Sequence, residues 1–257
     1  MKITAAMTIA GSDSGGGAGI QADLKVFQSF GVFGTSAITA ITAQNTRGVR
    51  AVLCLPEKIV AEQIDAVMED IRPRAVKTGM LGNAALTRLV ARKAEEHRIR
   101  KLVVDPVMIS TSRHRLLASS AVRVLVRELL PLALVVTPNL DEAGVLAGFP
   151  VRTREEMAAA AAAIGKMGPS FVVIKGGHRR EDADDLLYDG RRMIVLRSER
   201  FQGGAIHGAG CSYAAAIAAG LAMGKGPEDA VRSAKRFVAA ALKQPLRPGK
   251  GAYTLNF

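Results

Sequence analysis

Phe171-Val172-Val173-Ile174-Lys175-Gly176-Gly177 is four apolar, mostly β-branched residues, closed by a lysine and two glycines. A strand with one wet face alternates apolar and polar residues, so an unbroken apolar run of this length suits a strand buried on both faces. Runs of the same kind recur at Ala6-Met7-Thr8-Ile9-Ala10, Ala75-Val76-Lys77, Lys101-Leu102-Val103-Val104-Asp105 and Leu134-Val135-Val136-Thr137. Between them lie helix-like segments from Gln21 to Phe30, Glu57 to Ile71, Ala84 to His97, Ser119 to Leu130 and Arg154 to Met167. This alternation predicts an α/β fold with a central, mostly parallel sheet and helices on both faces. Asp184 to Leu196 departs from it, reading as two short strands around Asp189-Gly190 and predicting a small antiparallel hairpin at the sheet edge.

With 257 residues, 49% of them hydrophobic, the chain is long enough for one large core, and a single domain spanning 1–257 is expected. No signal-peptide core follows Met1-Lys2-Ile3 and no apolar run reaches bilayer length, so a soluble, cytoplasmic protein without a membrane partner is expected. Cys54 and Cys211 are the only cysteines, which excludes a disulfide framework, and His97, His114, His178 and His207 show no metal-ligand spacing. The net charge of +12 is spread over helix faces such as Arg88-Arg92-Lys93, and aromatics are few. That pattern argues against nucleic acid and leaves small anionic ligands.

Two glycine-rich turns run into helices. The first, Gly11-Ser12-Asp13-Ser14-Gly15-Gly16-Gly17-Ala18-Gly19, follows the first strand, at the end where open α/β sheets bind ligands. Its dinucleotide-like Gly17-Ala18-Gly19-Ile20-Gln21-Ala22 lacks a ribose-binding acid, since nothing between Asp23 and Glu57 is acidic. The second, His207-Gly208-Ala209-Gly210-Cys211-Ser212, enters an alanine-rich helix and places Cys211 on its first turn. Backbone amides there favour an anion, and the same field is expected to lower the thiol pKa. Neither a Walker-type loop nor a serine nucleophile elbow is present; a Cys211 and His207 pair is the remaining hydrolase option.

Polar residues stand at predicted strand ends: Asp105 before Pro106, Asn139 and Glu142 after Pro138, Lys175 before Gly176. Carboxylates and an amide suit a hydrated magnesium ion, and a lysine suits the phosphates it bridges. Each also has an ordinary reading, Asp105 as a turn cap, Asn139 as a helix cap and Lys175 as a solvated surface charge. Taken together with two glycine-rich helix starts, they favour phosphoryl transfer.

The stretch Ala10 to Asp23 resembles the opening of the hydroxymethylpyrimidine/phosphomethylpyrimidine kinases of thiamine biosynthesis. The resemblance continues through Thr42-Ala43-Gln44-Asn45-Thr46, Lys77-Thr78-Gly79-Met80-Leu81, Asp105-Pro106-Val107-Met108, Thr137-Pro138-Asn139-Leu140-Asp141-Glu142-Ala143, Lys175-Gly176-Gly177-His178 and Asp184-Asp185-Leu186-Leu187-Tyr188. It implies a ribokinase-like fold, a homodimer, ATP and Mg2+. It also implies a substrate pocket of Gln44, Gly11, Met80 and Val107, with Asp23 in the same motif. By the match, Asp105, Asn139 and Lys175 face ATP, Glu142 lies near the magnesium, and Gly208, Ala209, Gly210 and Cys211 form the catalytic anion hole. The chain departs from the family at Gly203-Gly204-Ala205-Ile206 and at Ala209, where polar side chains are usual. The implied reaction is phosphorylation of 4-amino-5-hydroxymethyl-2-methylpyrimidine and then of its monophosphate. A pyridoxal kinase of the same superfamily and a non-catalytic pyrimidine sensor are the alternatives.

Overall fold

The computed structural model describes residues 3–108, 118–177 and 183–257; His114 and His178 lie outside them. Its strands are β1 (Ala5–Asp13), β2 (Phe33–Asn45), β3 (Gly48–Cys54), β4 (Ala75–Thr78), β5 (Leu102–Val104), β6 (Val135–Val136), β7 (Phe171–Ile174), β8 (Asp185–Tyr188) and β9 (Met193–Leu196). They form one nine-stranded sheet in the order β3-β2-β1-β4-β5-β6-β7-β8-β9. Strands β2 through β7 in that order run parallel, while β3, β8 and β9 are joined by antiparallel pairings. A separate parallel pair joins β10 (Ile206–His207) to β11 (Tyr253–Thr254).

The apolar runs are strands because both faces are covered. Met7, Ile9, Val76, Leu102, Val104, Val136, Val172 and Ile174 pack into one core with α2 (Glu57–Asp70), α3 (Ala84–Glu96), α5 (Leu140–Ala147) and α6 (Arg154–Gly165). Their alternates Ala6, Val103, Val135 and Val173 pack into a second core with α1 (Gly19–Ser29), α7 (Ala209–Ala222) and α8 (Pro227–Ala241). Helix α7 is buried from Ser212 to Ala222 between the sheet and α8. Alanine at 214–216, 218 and 219 lets it lie close, and Gly220 lets Ala230 of α8 approach.

Three elements differ from the sequence expectation. The helix expected from Ser119 to Leu130 is α-helical only over α4 (Ser119–Val124), widens to a π turn over Leu125–Leu129 and closes as a 3₁₀ turn through Leu132. Pro131 explains the break, since it has no N–H for a helical ladder. The long antiparallel β2–β3 edge and the β10–β11 pair had no sequence expectation. The hairpin around Asp189-Gly190 forms as β8 and β9.

Candidate active site

The carboxyl ends of β2, β1, β4, β5, β6 and β7 lie side by side and carry the expected site residues other than those of the α7 turn, Asp23 in α1 and Glu142 in α5. At β1, a register shift at Gly11 bends the strand. The Gly11 N–H donates to Met80 O at 3.1 Å, and a methyl group at Gly11 would lie 3.1 Å from Met80 Cε. Gly11 and Met80 therefore share one wall. Gln44 closes β2 on one side of it, and half-buried Val107 follows β5 on the other.

Asp13 organises the first glycine-rich turn. Its Oδ1 accepts from Gly15 N–H at 2.8 Å, and its Oδ2 accepts from Gly17 and Ala18 N–H at 3.1 and 2.9 Å. His207 Nε2 lies 2.9 Å from the same Oδ2 and 2.8 Å from the Gln44 amide. Burial pushes the Asp13 pKa up, but the bonds from His207 and the amides outweigh it and hold the carboxyl below its usual range. An Nε2 proton given to Asp13 leaves no lone pair on that nitrogen, so the Gln44 amide oxygen is the end that suits the ring. Its nitrogen then meets Thr42 Oγ1, whose own proton goes to Ser12 O at 2.9 Å.

The second turn packs directly on the first. Gly208 has φ +80° and caps α7, and a Cβ there would fall 1.8 Å from Gly17 O. The first ladder bond of α7 runs from Ser212 N–H to Gly208 O at 2.9 Å, so the amides of Ala209, Gly210 and Cys211 precede the ladder. Beside them stands an ammonium group: Lys175 Nζ would be 3.1 Å from a Cβ at Gly210 and donates to Asp105 Oδ1 at 2.8 Å. Thr137 Oγ1 donates to the same oxygen. Burial opposes the charge on Lys175, yet Asp105 and Glu142 outweigh it and raise its pKa. This lysine is a fixed cation at the mouth of an amide cradle.

Asn139 and Glu142 form a reciprocal capping box at the start of α5, Asn139 Oδ1 accepting from Glu142 N–H and Glu142 Oε2 from Asn139 N–H, both at 2.9 Å. Glu142 Oε1 accepts from Met108 N–H, and burial raises the pKa of this carboxyl despite Lys175 nearby. The helix-cap reading of Asn139 thus holds alongside its place next to Lys175, whose backbone it pairs with. Asp105 and Glu142 offer hard oxygen donors, the set magnesium prefers. Among the described residues no three His, Cys, Asp or Glu converge.

Three expectations are corrected. The Cys211 thiol is raised to about 11, because burial, with Asp23 and Asp105 nearby, outweighs Lys77 and the Gly19 N–H aimed at the sulfur. It is a thiol at neutral pH. His207 faces Asp13 and Gln44, so the Cys211 and His207 pair does not form. Asp23, expected with the substrate pocket, is fully buried beneath it, its Oδ2 accepting from Lys77 Nζ at 2.7 Å and Thr8 Oγ1 at 2.6 Å. The sequence assigns no role to Asp13 or Lys77. An aspartate before Ser-Gly-Gly-Gly and a lysine inside an apolar strand are the signals that pointed to them.

A family model described as phosphomethylpyrimidine kinase matches residues 13–256. A hydroxymethylpyrimidine/phosphomethylpyrimidine kinase of Bacillus subtilis is 46% identical over 98% of this chain and 93% of its own. A chloroplastic thiamine biosynthetic bifunctional enzyme of Arabidopsis thaliana is also 46% identical, over 94% of this chain, which spans only 47% of that protein. Among solved structures, a Bacillus subtilis pyridoxal kinase in complex with ADP superposes with a TM-score of 0.93 at 38% identity, covering 99% of this chain and 97% of that one. A phosphomethylpyrimidine kinase from Clostridium difficile 630 gives a TM-score of 0.84 at 43% identity, covering 94% and 100%.

Proposed function

The chain belongs to the phosphomethylpyrimidine kinase family and is a phosphotransferase, and from that premise we propose how its residues divide the reaction. It transfers the ATP γ-phosphoryl group to the hydroxymethyl oxygen of 4-amino-5-hydroxymethyl-2-methylpyrimidine, and then a second phosphoryl group to the monophosphate. The observation that carries this reading is Lys175 Nζ at the first turn of α7, beside amides that precede the helical ladder. Fixed donors aimed at a point of developing charge need no reorganisation as the reaction proceeds.

The pyrimidine lies between Gly11, Met80 and Val107, with the Gln44 amide at its polar edge. Lys175, positioned by Asp105, meets the ATP phosphates, and Asn139 shapes the same side. The amides of Gly208, Ala209, Gly210 and Cys211 receive charge on the transferring group, while the protonated Cys211 acts as donor rather than base. The alcohol oxygen forms the new P–O bond as the bond to ADP breaks, and its proton passes late to an oxygen of the transferred phosphoryl group, because a loose transition state needs little activation of the nucleophile. Glu142 and Asp105 would hold magnesium, which would supply charge neutralisation on the phosphates.

The chain acts as one kinase domain in the cytoplasm, as a homodimer through the β2–β3 edge. Ile41 and Leu53 pair across that edge at 48% and 65% exposure, an apolar surface that a second copy would cover. ADP release with magnesium ATP tests the reading against three acceptors: the hydroxymethylpyrimidine, its monophosphate and pyridoxal. Turnover of both pyrimidines supports it, and turnover of pyridoxal alone overturns the substrate assignment.

A further inference from the structure

At the opposite, amino end of the sheet, the loops before β4 and β5 lie side by side and line an open cavity of about 460 Å³. Its lining includes Arg72, Arg74, His97, Arg98, Arg100 and Lys101, and no acidic residue. The two loops repeat one pattern, Arg72-Pro73-Arg74 and Arg98-Ile99-Arg100. In each the middle residue turns inward, Pro73 buried and Ile99 packed on the core, while the flanking arginines are exposed. Among the described residues none of the four guanidinium groups is paired with a carboxylate; Arg72 Nε donates to Glu69 O at 3.2 Å, and the nearby Asp65 is engaged by Lys93 and His97.

The backbone supplies a second observation. Arg72 and Arg98 follow the caps of α2 and α3 with φ of +54° and +51°, and they are the only non-glycine residues in the left-handed region among those described. The ends of α1, α5 and α7 have Gly31, Gly148 and Gly224 in that region instead. Glycine is the residue that meets this conformation at no steric cost. Two arginines accept the strain, and both face one cavity.

We infer that this cavity is a second anion site, separate from the catalytic cleft, for a small molecule carrying a diphosphate or longer polyphosphate. Guanidinium forks match phosphate oxygens two at a time, and the volume falls within the range of small-molecule sites. No Phe, Tyr or Trp side chain lines it for base stacking, and its one imidazole, His97, is engaged by Asp65. The inference does not rest on the kinase reading.

Calorimetric titration with inorganic tripolyphosphate tests it on the intact protein, compared with Arg74→Ser/Arg100→Ser and with Arg72→Gly/Arg98→Gly. The expected result is affinity at least about tenfold weaker in both double variants, with turnover at saturating substrate unchanged. The glycine variant should also melt higher without ligand, which separates lost binding from lost fold. A parallel titration with a nucleoside triphosphate distinguishes sources: an equal variant-dependent loss assigns recognition to the polyphosphate alone, a larger loss to an organic polyphosphate. Equal tripolyphosphate binding in all three proteins would overturn the inference. So would a loss confined to duplex DNA binding.

Discussion

His207 Nε2 lies 2.9 Å from Asp13 Oδ2, joining the two glycine-rich turns across 194 positions of sequence. The contact ties the turn beside the proposed substrate wall to the turn proposed to receive phosphate, and Gln44 is held by the same ring. His207→Ala should therefore raise KM for the pyrimidine by about tenfold, the scale of one part-buried hydrogen bond, with a smaller change in kcat. Steady-state kinetics at saturating ATP checks the split.

The depressed pKa of Asp13 fixes a direction for acid stability. A carboxyl whose folded value is below the ordinary 3.8 stabilises the protein above that pH, and the contribution is lost as pH falls through the folded value. Asp13→Asn should thus cost stability at pH 7 and show a flatter decline below about pH 4 than the wild type. Urea midpoints measured across that range would show it.

Cys211 titrates in the opposite sense. Its folded value near 11 exceeds the usual 9.0, so its stabilising contribution is full below pH 9 and is lost as pH rises from there towards 11. Iodoacetamide at about pH 8 should leave Cys211 unmodified in the native protein, with labelling rising steeply towards pH 11. Cys211→Ala should lower kcat by about 10² while leaving the melting temperature little changed, the effect of removing one donor to developing charge.

The mostly parallel sheet and the polar strand ends were legible because burial on both faces leaves continuous apolar runs, and Asp105 and Lys175 close them. The pKa of Cys211 was not, since a helix N-terminus says nothing about the desolvation and carboxylates that outweigh it. Asp23 illustrates the same gap: its motif marks the neighbourhood of the pocket, but only the register of Thr8 against Lys77 shows it turned inward. The helix expected from Ser119 to Leu130 runs out through π and 3₁₀ turns after Val124, because a helical period ignores the donor missing at Pro131.

Gly208 and Gly31 separate backbone strain from crowding. Both have positive φ, but a Cβ at Gly31 meets nothing within 4 Å, whereas one at Gly208 would strike Gly17 O. Gly31→Ala should cost about 1 kcal/mol, the left-handed penalty alone. Gly208→Ala adds overpacking and should cost roughly 3 kcal/mol or more, with turnover abolished as the two turns separate. Thermal melts and ADP release on the two variants check both parts.

Lys77 and Asp23 are both fully buried, 2.7 Å apart, under the first turn of α7. Burial lowers the Lys77 pKa, but Asp23, with Cys211 and Asp105, more than restores it, so the ammonium stays charged. Removing one partner strands the other charge in the core. Lys77→Met should therefore destabilise the protein by about 3–5 kcal/mol, the range for breaking a buried pair. Asp23→Asn/Lys77→Met removes both charges, and Thr8 can still donate to the amide oxygen that replaces the carboxylate, so most of that loss should return. Turnover should not return with it, because the Lys77 charge also acts on the Cys211 end of the α7 turn, where the proposed reaction develops negative charge. Denaturant unfolding of the three proteins, paired with kcat, decides the matter: restored stability with full activity would reduce the pair to a structural one.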